Sequence, residues 1–171
     1  MQLKTIFNRV TDYKPFVVEK VNWSESTVGM TLELTMRART NGQAICSGCG
    51  ERRPGYDHSS SPRRFEFIPL WMIPVVLIYQ MRRVDCPECG VKVERVPWSD
   101  GKSTLTTEYQ WFLASWAKRM SWKEVAESFR VSWDHVYTSV KQAVSWGKRH
   151  RNLENIESIG IDEVQWRRGH K

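Results

Sequence analysis

No stretch of this sequence is long and apolar enough to read as a bilayer-spanning helix. The most apolar run, Phe67 to Tyr79, is too short and is interrupted by Pro69 and Pro74. The opening residues, Met1-Gln2-Leu3-Lys4-Thr5, lack the long apolar region of a secretory signal. There is no low-complexity tract, and nothing repeats beyond one short cysteine motif. Cysteine is scarce, with four in 171 residues. Acidic residues are the minority charge, 19 Asp and Glu against 26 Lys and Arg, which leaves a net charge of +7. These absences argue against a secreted, disulfide-stapled or membrane-bound protein. They point to a cytoplasmic chain with a polyanionic partner, nucleic acid first.

The four cysteines sit in two knuckles, Cys46-Ser47-Gly48-Cys49-Gly50 and Cys86-Pro87-Glu88-Cys89-Gly90. Each C-x-x-C lets two thiolates face one ion, and the glycine after it suits the positive φ of a tight turn. Two such knuckles supply the sulfurs of a closed tetrahedral Zn2+ site, with Cys46, Cys49, Cys86 and Cys89 as ligands. In a reducing compartment this pattern favours metal over disulfide. Four protein ligands leave no open position, so the zinc is expected to be structural.

Basic excess is uneven. Residues 1–36 balance at four basic and four acidic, 37–95 carry ten against six, and 118–171 carry eleven against seven. Along the chain, 3–10 reads as a short helix. Phe16-Val17-Val18 and Thr27–Met36 read as strands, the second alternating like a half-buried antiparallel strand, with Asn22 to Ser26 as the connection. Further strands are expected at 64–70, 75–83 and 91–96, beside the knuckles as in a zinc ribbon. Residues 98–103 read as a turn-rich linker.

From Leu105 to Met120 the apolar residues fall at helical steps. Ser121 and Glu124 form a capping box for a short helix, and Ser132 caps a longer one running to about Gly147. Its buried face is expected to hold Trp133, Val136, Tyr137, Val140, Ala143 and Val144. A capped short helix, a tight connection and a capped longer helix suggest a helix-turn-helix. Candidate DNA contacts are Ser132, Asp134, His135, Thr138, Lys141 and Gln142 on the outer face. Arg130, Lys148 and Arg149 would meet flanking phosphates.

With these residues in place, the order of features resembles the ISL-three family of insertion-sequence transposases. The first knuckle, Tyr56-Asp57-His58, Phe67-Ile68-Pro69-Leu70 and Arg82-Arg83-Val84-Asp85-Cys86 carry the likeness to its zinc-binding domain. Ile159-Gly160-Ile161-Asp162-Glu163 with Arg167-Arg168-Gly169-His170 resembles the opening of its catalytic domain. That domain is a ribonuclease-H-like fold with an Asp-Asp-Glu triad and two divalent ions. The resemblance makes Asp162 the first catalytic acid and Mg2+ a cofactor of the complete enzyme only.

The resulting expectation is an α+β protein in three parts. A β-rich module over 1–98 contains the zinc ribbon (44–96). A helix-turn-helix domain follows over 104–150, and 156–171 begin an incomplete ribonuclease-H-like domain. The second aspartate and the glutamate of the triad have no counterpart in this sequence. The expected function is therefore that of a truncated transposase: binding double-stranded DNA at terminal inverted repeats for DNA transposition, without cutting it. A transposase-derived zinc-ribbon transcription regulator or repressor is the alternative, and a homodimer is left open.

Overall fold

The structure, a computed structural model, describes residues 2–27, 29–152 and 154. It is α+β, with a mixed four-stranded sheet, a small β ribbon and a trio of helices. Helix α1 (Leu3–Val10) leads into β1 (Phe16–Ser26) and β2 (Gly29–Ala38). The β ribbon is built from β3 (Ala44–Ile45), β4 (Arg52–Arg53) and β5 (Gly55–His58) with β8 (Arg82–Cys86) and β9 (Gly90–Val93). Between those pieces, β6 (Arg63–Leu70) and β7 (Ile73–Tyr79) return to the main sheet. Helices α2 (Thr107–Trp116), α3 (Trp122–Phe129) and α4 (Trp133–His150) follow.

The main sheet runs β1-β2-β7-β6. Strand β2 is antiparallel to β1 but parallel to β7, with Leu32 opposite Val75 and Leu34 opposite Leu77. The expected alternation in β2 is present: Leu32, Leu34 and Met36 are buried. Asn22 to Ser26 are not a loop. They extend β1, pairing Trp23 with Leu32 and Ser26 with Gly29. The outer edge of β1 tolerates this polar run because one strand side pairs while the other faces solvent.

Trp98, placed by composition in a linker, is instead fully buried at the centre of the main core. Four rings surround it, Phe16 at 4.9 Å, Tyr13 at 5.4 Å, Tyr79 at 5.5 Å and Phe65 at 5.9 Å between centroids. Three of these contacts are edge-to-face, the geometry that the ring quadrupoles favour. From Trp98 the chain crosses directly to the helices. Glu66 of β6 accepts from Thr106 N–H at 2.9 Å and donates its own N–H to Thr104 at 2.7 Å. Ile68 of the same strand packs on the helical core.

One polar network joins the main sheet to the ribbon. Glu94, buried, accepts from Tyr79 Oη at 2.7 Å, from Arg82 N at 2.9 Å and from the Arg82 guanidinium at 2.9 and 2.6 Å. Arg82 also donates to the Gly42 carbonyl at 2.8 Å. All the strong lone pairs are used, the condition under which a buried charge pair is tolerated. Burial, with the adjacent Glu94 carboxylate, pushes the Tyr79 phenol well above its usual range.

The helices begin where the capping chemistry directs. Thr106 caps α2 through Tyr109 N, which is why Leu105 precedes the helix rather than opening it. Ser121 and Glu124 form the expected reciprocal box on α3, and Ser132 caps α4 through His135 N. Helix α4 runs on to His150. Leu105, Tyr109, Leu113, Val125 and Val136 form the core under the trio. Trp133, Tyr137 and Val144 were expected inward and are exposed instead. At about 100° per residue all three fall within about 60° of Val140, on the flank away from the buried Val136 and Ser139, where neighbours cover only one side.

Candidate metal centre and nucleic-acid interface

The first knuckle links β3 to β4, and the second links β8 to β9. A bridge between Cys46 and Glu94, with Arg95 N donating to Ile45 O at 2.8 Å, lays the first knuckle beside the strand leaving the second. Gly50 and Gly90 have φ of +79° and +70°, so each knuckle closes in the left-handed region where a side chain would be strained. Gly48 serves differently. A Cβ there would stand 2.7 Å from Cys89 Sγ, so only glycine lets the two knuckles meet.

The four sulfurs lie within 4.8 Å of one another. Cys49 Sγ and Cys86 Sγ are 3.7 Å apart. That matches the edge of a tetrahedron with zinc–sulfur bonds of about 2.3 Å, roughly 3.8 Å, and is far beyond a disulfide of about 2.05 Å. The donor set therefore fits one soft, four-coordinate cation and suits structural zinc.

Electrostatics agree. Burial opposes ionisation of Cys86, but N–H groups of Cys89 and Glu88 and the thiols of Cys49 and Cys46 outweigh it and lower its pKa to about 6. Burial pushes Cys89 up to about 12, reinforced by Cys86, Cys49 and Cys46. Thiolates packed this closely repel one another, and a bound cation offsets that repulsion. Arg53, not marked by the cysteine pattern, adds positive charge: its Nη2 lies 4.0 Å from Cys49 Sγ and 3.0 Å from Glu88 Oε1. Its only signal in sequence is its place four residues after Cys49.

The candidate DNA-facing residues separate into two groups. Arg130 is exposed and forms the left-handed C-cap of α3 at φ 54°, turning the chain into α4 within three residues. Ser132 is occupied as the cap of α4. Asp134, Thr138, Lys141, Lys148 and Arg149 are exposed. His135 and Gln142 are half-buried. His135 Nε2 lies 3.4 Å from Thr104 Oγ1, and with Thr138, Gln142 and Arg149 it lines a cleft of about 570 Å³ against Asp100, Lys102 and Ser103. Asp162 and the expected strand at 156–164 lie outside the described residues. Among the described residues no helix is long and apolar enough to cross a membrane.

Ribbon, sulfur cluster and helix trio define a zinc-ribbon protein with an appended helical unit. Residues 42–89 match the zinc-finger of transposase IS204/IS1001/IS1096/IS1165. The chain is 26% identical over 163 residues to the transposase for insertion sequence element IS1557 of Mycobacterium tuberculosis, covering 92% of this chain and 36% of that protein. It is 27% identical over 160 residues to the transposase for insertion sequence element IS1001 of Bordetella parapertussis, covering 93% of this chain and 39% of that one. No solved structure matches. The chain is thus similar to insertion-sequence transposases over most of its own length, and its ribbon matches their zinc-finger. It spans less than two fifths of the length of these curated relatives.

Proposed function

We propose that this chain carries the DNA-binding part of an insertion-sequence transposase and recognises the element's terminal inverted repeats. The observation that carries the reading is the α3–α4 pair. Two helices with side-chain N-caps are joined through one left-handed residue, and the second helix bears Lys141, Lys148 and Arg149 against a single exposed Asp134. In this reading α3 and α4 are a helix-turn-helix and α4 enters the major groove. Asp134, Thr138 and Lys141 reach base edges, while Arg130, Lys148 and Arg149 neutralise phosphates. His135 and Gln142 act from the flank facing the 100–105 loop, and Ser132 sets the helix start.

The zinc ribbon has a mechanical role in the same reading. Cys46, Cys49, Cys86 and Cys89 hold structural Zn2+, and the Glu94–Arg82 network passes that rigidity to the sheet on which the helices dock. Asp162 is proposed as the first acid of a metal-binding triad. In a complete enzyme Mg2+ would supply activation of the attacking oxygen in phosphodiester transfer.

The test is fluorescence anisotropy of the 171-residue chain on a 30-base-pair duplex enriched from a random pool by the chain itself, read across a salt series. Affinity should fall steeply with salt. Lys141→Ala or Arg149→Ala should weaken binding and reduce the slope of log K against log salt by about 1 each. Enrichment of no duplex, or binding insensitive to salt, would remove the DNA-binding reading.

A further inference from the structure

Trp133 and Tyr137 stand one turn apart at the start of α4 and are 50% and 42% exposed. Their rings stack, 5.6 Å between centroids and 9° between planes. Trp122, the first residue of α3, closes the third side at 5.5 Å from Trp133 and 6.0 Å from Tyr137. Three rings from both helices thus form one apolar pad at the paired N-terminal ends. Trp133 and Tyr137 are not among the residues packed on the helical core. Stacking also fixes their rotamers, so little side-chain freedom remains to be lost when something binds there.

The surroundings indicate which partner suits the pad. One turn beyond Tyr137 is Lys141, followed by Lys148 and Arg149, and Arg130 lies in the connection before Ser132. Asp134 is the one exposed acid on this helix. Lys123 on α3 is paired with Glu127 at 3.9 Å. Glu124 in the first turn of α3 is turned back onto Ser121 in the capping box, so an apolar pad on a helix whose exposed charges are mostly positive fits a polyanion that also offers apolar edges. In the major groove that edge is the thymine 5-methyl group, the one apolar feature of the base-pair pattern there. The first turns of a recognition helix are the part that reaches base edges.

We infer that Trp133 and Tyr137 are base-contacting residues, packing against thymine methyl groups in the major groove, with Trp122 as the brace that holds them. The inference rests on the reading that α4 enters DNA, and it names what that helix selects. Trp133 and Tyr137 pick out thymine-bearing positions, while the lysines and arginines around them bind any sequence.

The test uses the duplex enriched by the chain, prepared once with thymine and once with uracil at every thymine position. Uracil keeps the pairing and loses only the methyl group. The wild-type chain should bind the uracil duplex roughly 5-fold or more weakly, about 1 kcal/mol by the tenfold-per-1.4 kcal/mol relation. The double variant Trp133→Ala/Tyr137→Ala should bind the thymine duplex on the order of 10-fold or more weakly and no longer distinguish the two duplexes. Tyr137→Phe, which keeps the ring, should retain the distinction. Trp71→Ala, another exposed aromatic far from α4 in sequence, should behave as wild type. Equal wild-type affinity for both duplexes would overturn the inference while leaving DNA binding standing. So would a double variant that still distinguishes them. Failure to enrich any duplex would overturn both, and would leave the pad as a surface for a protein.

Discussion

The ribbon and the helix trio are held by different means. The trio has a conventional apolar core in which Leu113, Val125 and Val136 are fully buried, and every helix in it opens with a hydroxyl N-cap. The ribbon core amounts to Ala44, Cys46, Val84 and Cys86, with Cys49 and Cys89 packed on it. Half of those buried residues are the sulfur donors themselves. Its strands β3, β4, β5 and β9 are two to four residues long, too short to be stable unaided. A core that small cannot offset the backbone entropy of ordering the roughly thirty residues of its two segments, so the ribbon depends on its ion as the helices do not.

Removing the ion is therefore the sharpest way to break the comparison. Cys46→Ser or Cys89→Ser, or a strong chelator, should abolish the ribbon's order, because structural zinc supplies about 10–16 kcal/mol in small zinc domains. The helical signal in far-ultraviolet circular dichroism should largely remain, and metal analysis of the wild type should find one zinc per chain. Complete loss of helix on chelation would mean that the two regions fold as one unit. The Glu94–Arg82–Tyr79 network is the route by which that would occur, since it ties the ribbon strand β8 to the end of β7.

Trp98→Ala tests the region between them. The indole fills the main core, and Trp98 O accepts from Thr107 N at 2.8 Å where α2 begins. Truncation should cost about 3–5 kcal/mol, read as a lower denaturant midpoint. It should do so with zinc stoichiometry unchanged, since no sulfur touches the ring cluster. A loss well under 1 kcal/mol would place the organising core elsewhere.

These dependencies differ in how openly the residues declare them. The sulfur site was legible because C-x-x-C spacing is local and both knuckles carry the same glycine. The capping box at Ser121 and Glu124 was legible for the same reason: two residues three positions apart decide it. Non-local pairing left no such trace. The parallel register of β2 with β7 joins residues about forty apart, and alternation in β2 looks the same whichever neighbour it takes. Trp98 lies among turn formers, and local composition outweighed the one residue that mattered. The start of α4 failed in the opposite direction. Period-three-and-four spacing marked Trp133 and Tyr137 as apolar and therefore inward, yet periodicity reports only which residues share a face. It cannot distinguish a covered aromatic from one left bare for a ligand.

Within the trio, the cap of α3 gives a smaller and pH-dependent effect. Ser121→Ala should cost about 1 kcal/mol of stability without touching zinc content. The hydrogen bonds from the Ser121 side chain and backbone hold the Glu124 carboxyl below its usual value of 4.5. A depressed folded-state pKa means that Glu124 contributes stability above pH 4.5 and loses it as pH falls through the lower folded value. The stability difference between wild type and Glu124→Gln should therefore be constant near neutrality and shrink below pH 4.5. A difference that persists at pH 2.5 would assign the effect to packing instead.

The smallest expected change is a gain. Strands β6 and β7 are joined at Leu70 and Ile73 by Trp71 and Met72, with φ of +50° and +64°. Both are in the left-handed region that a two-residue hairpin of this hand requires, where Asn-Gly is the favoured pair. Each bulky side chain costs of order 1 kcal/mol there. Both are also exposed, at 80% and 62%, so neither recovers that cost by burial. Trp71→Asn/Met72→Gly should relieve the turn strain and give back part of the gain through the freer unfolded chain that glycine brings. The net should be a stabilisation of roughly 0.5–1 kcal/mol, seen as a higher melting temperature for the sheet with α3 and α4 unaffected. Destabilisation would mean that the Trp71 and Met72 side chains hold the hairpin by contacts stronger than the backbone strain they impose.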